Sequence, residues 1–99
     1  MCDIIDHHEH TLKLIMLRSG NPDMKENVRT ALETQVSSQH IQGIFGDGIL
    51  VFTEADPSTI RDWLKPSLSD QDHLFVAEFE HWSGYGAEID KEWLAWRGH

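Results

Sequence analysis

The chain has little cysteine, no long apolar runs and few basic residues, and each shortage argues against a class of protein. Its single cysteine, Cys2, cannot form an internal disulfide, which is typical of a reducing compartment. No apolar run approaches the roughly 20 residues that a membrane-spanning helix requires. The opening MCDIIDHHEH lacks the basic region and the apolar core of a signal peptide. We therefore expect a cytoplasmic protein with no membrane partner.

The scarcity of basic residues limits the expected partners. The net charge is −9, and residues 47–92 contain eleven acidic side chains against three basic ones. Nucleic-acid affinity comes largely from lysine and arginine, so we do not expect a lone subunit to bind nucleic acid directly. Two interpretations remain: a charge that only serves solubility, and a surface that binds basic proteins, even by mimicry of nucleic acid.

Length and composition predict one globular domain. Apolar residues make up 39% of the 99 and charged residues 25%, which are ordinary values for a folded chain. Residues 1–10 are polar and rich in histidine, and we interpret them as an extension. The domain itself is predicted to span residues 11–99.

The sequence contains no recognisable catalytic motif. Gly46-Asp47-Gly48 lacks the helix, lysine and hydroxyl of a phosphate-binding loop and is interpreted as a hairpin turn. Ser83 lacks the Gly-x-Ser-x-Gly context of a hydrolase nucleophile, and Cys2 has no evident partner that would activate its thiol. Glu78 and Glu80 share a strand face, but nothing else in the sequence builds a cleft around them. We predict no catalytic residue.

Histidines near the N-terminus are the candidate metal ligands. His7, His8 and His10 lie beside Asp6 and Glu9, and neutral imidazoles bind Zn²⁺ and Ni²⁺ well. Adjacent histidines on an extension rarely form a closed tetrahedral site, so the alternatives are a solvated extension and a weak adventitious site. We expect no functional metal and no cofactor.

Periodicity and turn residues predict an alternation of strands and helices. Asn21-Pro22 and Asp56-Pro57 each combine a capping side chain with a proline at a helix start, and Asp90 is a candidate cap for a short terminal helix. The LFVA run near residue 75 predicts burial on both faces of its strand. The predicted strands are Thr11–Leu17, His40–Phe45, Ile49–Thr53 and His73–Glu80, with one helix ending near Ser37–Gln39 and the next near Lys65.

This order predicts an α+β fold, a ferredoxin-like βαββαβ sandwich with both helices on one face of the sheet and a short C-terminal segment. Right-handed crossovers place the two helices together. The other sheet face would then be bare, and because an exposed apolar face is costly, a second copy of the chain is the expected lid. The architecture therefore predicts a homodimer.

Four aromatic residues near the C-terminus are candidate interface residues. Aromatic side chains bury a large area with few rotatable bonds, which makes them common interface anchors. The alternative is a terminal segment that folds over its own sheet. The tentative interface residues are Trp82, Tyr85, Trp93 and Trp96.

The segment IRDWLKPSLSDQDHLFVAEFEHWSGYG, followed by EWLAW, resembles small bacterial and phage proteins with a fold like the second CRISPR-associated protein, related to VapD-type toxins. The shared elements are Ile60–Pro66, Asp72–Val76, Trp82–Gly86 and Trp93–Leu94, about half of the chain. The resemblance implies a dimeric ferredoxin-like fold. It also implies, for the active members, a metal-dependent nuclease with an aspartate at the end of the first strand. Here that place holds Arg18, which repels a divalent ion.

The leading hypothesis is a non-catalytic, acidic, homodimeric interaction protein that binds basic protein surfaces, with a role in bacterial or phage conflict systems that the resemblance implies. One alternative is a metal-dependent endoribonuclease of the same fold, with Asp23 or Asp47 as ligand. Another is a structural subunit whose only role is to dimerise.

Overall fold

A computed structural model describes residues 10–98, which form four strands and three helices. Two short 3₁₀ turns, Ser38–His40 and Lys65–Ser67, follow the first two helices. None of these helices is long and apolar enough to cross a membrane. The elements are β1 (Thr11–Arg18), α1 (Met24–Glu33), β2 (Ile41–Ile44), β3 (Gly48–Thr53), α2 (Pro57–Leu64), β4 (His73–Phe79) and α3 (Lys91–Gly98).

The four strands form one antiparallel sheet in the order β2-β3-β1-β4. Ile15 in β1 lies opposite Ile49 in β3 and Val76 in β4. The strands joined through α1, β1 and β2, therefore run in the same direction with β3 between them. The predicted α+β class is confirmed, and the arrangement is compatible with a ferredoxin-like fold.

One face of the sheet is covered by α1 and α2, as the sequence predicts. Alternation along β1 directs Ile15 and Leu17 to this face, and the apolar stripes of both helices pack on it. This is the main core of the molecule. Its buried members are Ile15, Leu17, Met24, Val28, Leu32, Val36, Ile41, Ile49, Val51, Ile60 and Leu64.

The second face, carrying the alternate residues of each strand, is covered in part by the C-terminal segment, residues 82–98. Leu94 of α3 is buried against Leu12 and Leu50. Trp82, Ile89 and Trp93 pack around this smaller core. This face is therefore not left bare beneath α3, because the segment after β4 folds back over its own sheet, the alternative that the sequence left open.

The start and end of α2 agree closely with the sequence. The Asp56 carboxylate accepts a hydrogen bond of 2.9 Å from the amide of Thr59, and Pro57 occupies the first turn, where its missing N–H costs nothing. The helix ends at Leu64, just before Pro66. Asp90 caps α3 in the same way, with its carboxylate 3.0 Å from the amide of Trp93.

The first helix is shorter than predicted. Asn21 does accept a hydrogen bond, but from the amide of Asp23 in the turn that precedes α1. The helix ends at Glu33, where the amides of Gln35 and Val36 both bond to the carbonyl of Leu32. Val36 remains buried, so apolar periodicity continued past the end of the helix and misplaced its boundary.

The hairpin between β2 and β3 differs from its predicted form at one residue. Phe45, not a glycine, adopts a positive φ of 55°. Gly48 is required for a different reason: a Cβ there would lie 2.8 Å from the carbonyl oxygen of Ile44, its partner in the ladder. This glycine permits close approach of the two strands.

Candidate interaction surface

The half of the second face that α3 leaves uncovered carries exposed apolar side chains. Met16 and Phe75 are register partners on β1 and β4, and they are 41% and 63% exposed. Leu14 and Ala77, the next pair along, are half-buried. We call these four residues the Met16–Phe75 surface. Two large apolar side chains adjacent on a regular sheet are typical of a contact surface.

The prediction that β4 is buried on both faces is wrong. Leu74 and Val76 point toward the helices and are half-buried, whereas Phe75 between them is largely exposed. The strand lies at the edge of the sheet, and the C-terminal segment packs on its central strands. A continuous apolar run in the sequence does not distinguish a strand that its own chain buries on both faces from a strand with one apolar face left exposed.

The four predicted interface aromatics separate into two pairs. Trp82 and Trp93 are half-buried against the smaller core. Tyr85 and Trp96 are 96% and 80% exposed. Part of the aromatic cluster therefore packs on its own sheet, and an interface role for Tyr85 and Trp96 stays a prediction.

Helix α3 is tied to the 3₁₀ turn before β2 by a group of hydrogen bonds. The indole Nε1 of Trp93 donates to the carbonyl of Gln39 at 2.9 Å, and a guanidinium nitrogen of Arg97 donates to the same carbonyl at 2.8 Å. Arg97 Nε donates to Nδ1 of His40 at 3.2 Å. The guanidinium also stacks over the Trp93 ring at 4.4 Å. We call these contacts the α3 latch.

The His40 ring lies among charged and aromatic neighbours. It contacts Phe52 and His10, with ring centroids 5.4 and 6.2 Å away. Burial lowers the pKa of His40, and the charge of Arg97 and then that of His10 lower it further. A neutral His40 can accept the Arg97 hydrogen bond, whereas a protonated ring loses this acceptor.

A buried lysine is the polar feature that sequence reasoning missed. Lys13 is 1% exposed on the helix side of β1, and its Nζ donates to the carbonyl of Thr53 at 2.7 Å and to the Thr11 hydroxyl. Glu78, its register partner on β4, lies 3.7 Å away. Burial lowers the pKa of Lys13, against the opposing effect of Glu78. Side chains alternate between the two faces along the strand TLKLIML, which places its lysine on the helix side, and the facing strand carries an acid. These two features were the sequence signal for the buried lysine.

The end of β1 carries the arginine that the sequence places there. Arg18 is the last residue of the strand and pairs with His73. Both line an open hollow of about 270 Å³ together with Asp47, which belongs to the hairpin turn. The Asp47 carbonyl accepts a 3.0 Å hydrogen bond from the amide of Leu17 and so fastens the turn to β1.

The aspartates near this end of the sheet serve turns and caps. Asp23 precedes α1, and Asp72 accepts from the Ser19 hydroxyl at 2.6 Å and from the amide of Ser69 at 2.8 Å. These hydrogen bonds, that from Ser19 first, lower the pKa of Asp72. Within residues 10–98, no group of three or more His, Cys, Asp or Glu side chains is placed to hold a metal ion.

The extension and its histidines fall mostly beyond what the structure describes. Cys2, His7 and His8 lie outside residues 10–98, together with Asp6 and Glu9. The boundary predicted between residues 1–10 and the domain is therefore untested.

A narrow apolar groove runs between the C-terminal segment and the sheet. Its volume is about 200 Å³. Gly84 is held close to Ile89, since a Cβ at position 84 would lie 2.8 Å from a methyl carbon of that side chain. Ser83 also lines the groove. The other lining residues are Leu14, Ile44, Leu50, Phe79, Trp82 and Leu94.

Comparison with known proteins finds no family model, no curated protein and no solved structure that this chain matches.

Proposed function

We propose that the protein is a non-catalytic homodimeric interaction protein whose acidic surface binds basic protein partners. The observation that carries the proposal is the exposure of Phe75, on the edge strand β4, beside Met16 on β1. Burial of such a side chain in an interface is worth about 1.5–3 kcal/mol. A symmetric dimer that covers Phe75 buries two copies of this side chain at once.

The charge of the chain supports the second part of the proposal. A dimer carries twice the net charge of −9, and the excess of acidic residues lies outside α1 and α2, where Glu26, Glu33 and Asp62 are balanced by Lys25, Arg29 and Arg61. These helices cover the face of the sheet opposite the Met16–Phe75 surface. Exposed acidic residues in the connecting and C-terminal segments, among them Asp70, Glu80 and Glu88, also lie outside the Met16–Phe75 surface. A dimer therefore keeps them in solvent, where their negative potential steers basic partners.

The proposal also includes a specific fold and a cellular context for the protein. We propose that β1 to β4 with α1 and α2 are a ferredoxin-like βαββαβ unit and that α3 is an addition to it. Support comes from α1 and α2 packing on one sheet face. A relation to small proteins like the second CRISPR-associated protein, a role in conflict systems and a cytoplasmic location remain predictions from the sequence.

Substitution of Phe75 tests the dimer. We expect Phe75→Ser to weaken self-association at least about tenfold in sedimentation equilibrium, because two apolar contacts are lost. Phe45→Ser is the matched control, since Phe45 is 59% exposed in the hairpin turn, outside the Met16–Phe75 surface. Equal dissociation constants for the wild type and Phe75→Ser would reject the surface.

Salt tests the acidic recognition. Raising the ionic strength from about 0.15 M to about 1 M shortens the screening length from about 8 Å to about 3 Å. We expect partners captured by the wild-type protein to be released by this change. Partners that all remain bound at high salt would argue against electrostatic recognition.

A further inference from the structure

The two edges of the sheet are protected to different degrees. The β2 edge has only four residues, and long basic side chains bond to carbonyls along it. Arg29 donates to the carbonyl of Ile41 at 3.4 Å, and Lys25 donates to that of Phe45 at 2.7 Å. Capped carbonyls and a short strand are devices that prevent pairing with another chain.

The β4 edge lacks these devices. Its seven residues pair one to one with β1 from Phe79 to His73, without a bulge, and contain neither proline nor lysine. No side chain within residues 10–98 hydrogen-bonds to its backbone. Within residues 10–98, the N–H and C=O groups of every second residue of β4 therefore point away from β1 and have no partner strand.

We propose that this edge pairs with the same strand of a second copy, antiparallel and centred on Val76, so that the two sheets join into one of eight strands. The inference rests on the proposed dimer and specifies its geometry. An antiparallel strand paired with its own copy satisfies a two-fold axis. Phe75 then lies opposite the partner's Ala77, and Leu74 opposite the partner's Glu78.

Charge and length select this register. Pairing centred on Phe75 keeps only residues 73–77 of the strand in the ladder, and pairing centred on Glu78 places that carboxylate opposite itself. Like charges directly opposite each other destabilise a strand pair. Pairing centred on Ala77 keeps only residues 75–79 of the strand in the ladder, whereas the centre at Val76 uses the whole strand.

The groove beside the edge carries the complementary charge. Pro57, Ser58 and Arg61 of α2 line an open groove of about 280 Å³ with Leu74, Phe75 and Val76 of β4. The partner's Glu78, opposite Leu74, comes to this groove and to Arg61. The Arg61 guanidinium is 57% exposed, and its ion pair is with the adjacent Asp62. An acid from the partner therefore meets an accessible base.

Disulfide trapping tests the geometry. In a Cys2→Ser background, Val76→Cys places two thiols on the two-fold axis, where opposed Cα atoms of an antiparallel pair lie about 4.5–5.5 Å apart, within the range of a disulfide. We expect this full-length variant to form a covalent dimer under mild oxidation. Met16→Cys in the same background, at the centre of the sheet face, is the comparison and is expected to cross-link at least about tenfold more slowly, because its thiols are held apart.

The outcomes separate the inference from the proposed function. Cross-linking through position 16 rather than 76 would mean that sheet faces stack, which overturns the edge geometry while the dimer stands. A dimer that neither variant traps would also overturn it. A mass of 11.4 kDa for both unoxidised variants and the wild type would instead reject the dimer itself.

Charge reversal provides a second variant that does not touch the strand. Arg61→Glu faces the partner's Glu78 with a like charge. We therefore expect the dissociation constant of the dimer to rise about fivefold. Lys91→Glu, an exposed base at the start of α3, is the matched control. Equal effects of the two reversals would count against the β4 register.

Discussion

At the residue scale, Lys13 shows how one charge is accommodated in a small core. Its ammonium group is enclosed by the Thr53 carbonyl, the Thr11 hydroxyl and the partly exposed Glu78 carboxylate. Buried charges persist when their hydrogen bonds are made, although apolar replacements of the same shape are often as stable. The sequence was interpreted as a uniformly apolar strand, and the pairing of Lys13 with Glu78 was therefore not predicted.

Two replacements of Lys13 test this account. We expect Lys13→Met to change the free energy of unfolding by less than about 1 kcal/mol at neutral pH, because methionine fills the same space. Lys13→Ala leaves a cavity and is expected to cost about 3 kcal/mol. Urea unfolding measures both. Equal costs for the two variants would show that the charge, rather than the packing, is what stabilises the strand.

The lowered pKa of Lys13 also predicts a pH dependence. The unfolded chain, with the ordinary value of 10.5, holds this proton more tightly than the folded chain. Wild-type stability should therefore rise with pH between the lowered value and 10.5. Lys13→Met should lack this rise in urea titrations across the same range, and a rise retained by the variant would assign it to another group.

A glycine pair tests the hairpin. Gly48→Ala would place a Cβ 2.8 Å from the Ile44 carbonyl, so we expect a loss of about 1–3 kcal/mol in thermal or urea unfolding. Gly46→Ala, two residues away with nothing within 4 Å of the added carbon, should change stability by less than about 0.5 kcal/mol. Equal losses would contradict the close approach of the strands.

At the element scale, local signals located both ends of α2 and the start of α3, but neither end of α1. The caps at Asp56 and Asp90 could be found because the features that mark a helix start lie within one turn of the cap. These features are a carboxylate, an adjacent proline or a following apolar stripe. The end of α1 at Glu33 and the exposure of β4 depend on what packs from elsewhere in the chain. The fate of the C-terminal aromatics depends on the same distant contacts, so the sequence left two alternatives open.

The α3 latch predicts a response to acid. The pKa of His40 is lower in the folded state than the ordinary 6.5, so the unfolded chain binds the proton more tightly and stability falls as pH decreases below 6.5. Protonation also removes the acceptor of Arg97. We expect hydrogen exchange in α3 to increase, after correction for intrinsic rates, between about pH 7 and pH 5.

Variants of two histidines make this prediction specific. His40→Gln should remove most of the pH response of α3, because glutamine does not titrate. His81→Gln is the control, since His81 is exposed and lies outside the latch. Asp56 and Asp72, whose pKa values are lowered below the ordinary 3.8, act in a more acidic range and do not confuse the result. An unchanged response in His40→Gln would contradict the latch.

At the scale of the whole molecule, the two faces of the sheet have different roles. The helices cover one face and carry exposed acidic residues, while α3 covers only part of the other and leaves Met16 and Phe75 in solvent. The sequence predicted the sheet, the two covering helices and the need for a lid. It could not assign that lid to the chain's own C-terminus, because the assignment depends on the path of residues 82–90.

The molar mass in solution tests the central claim most directly. Light scattering across a range of concentrations at about 0.15 M salt should show the mass rising from 11.4 kDa toward twice that value as the exposed apolar surfaces meet. A mass that stays at 11.4 kDa at every concentration would contradict the account.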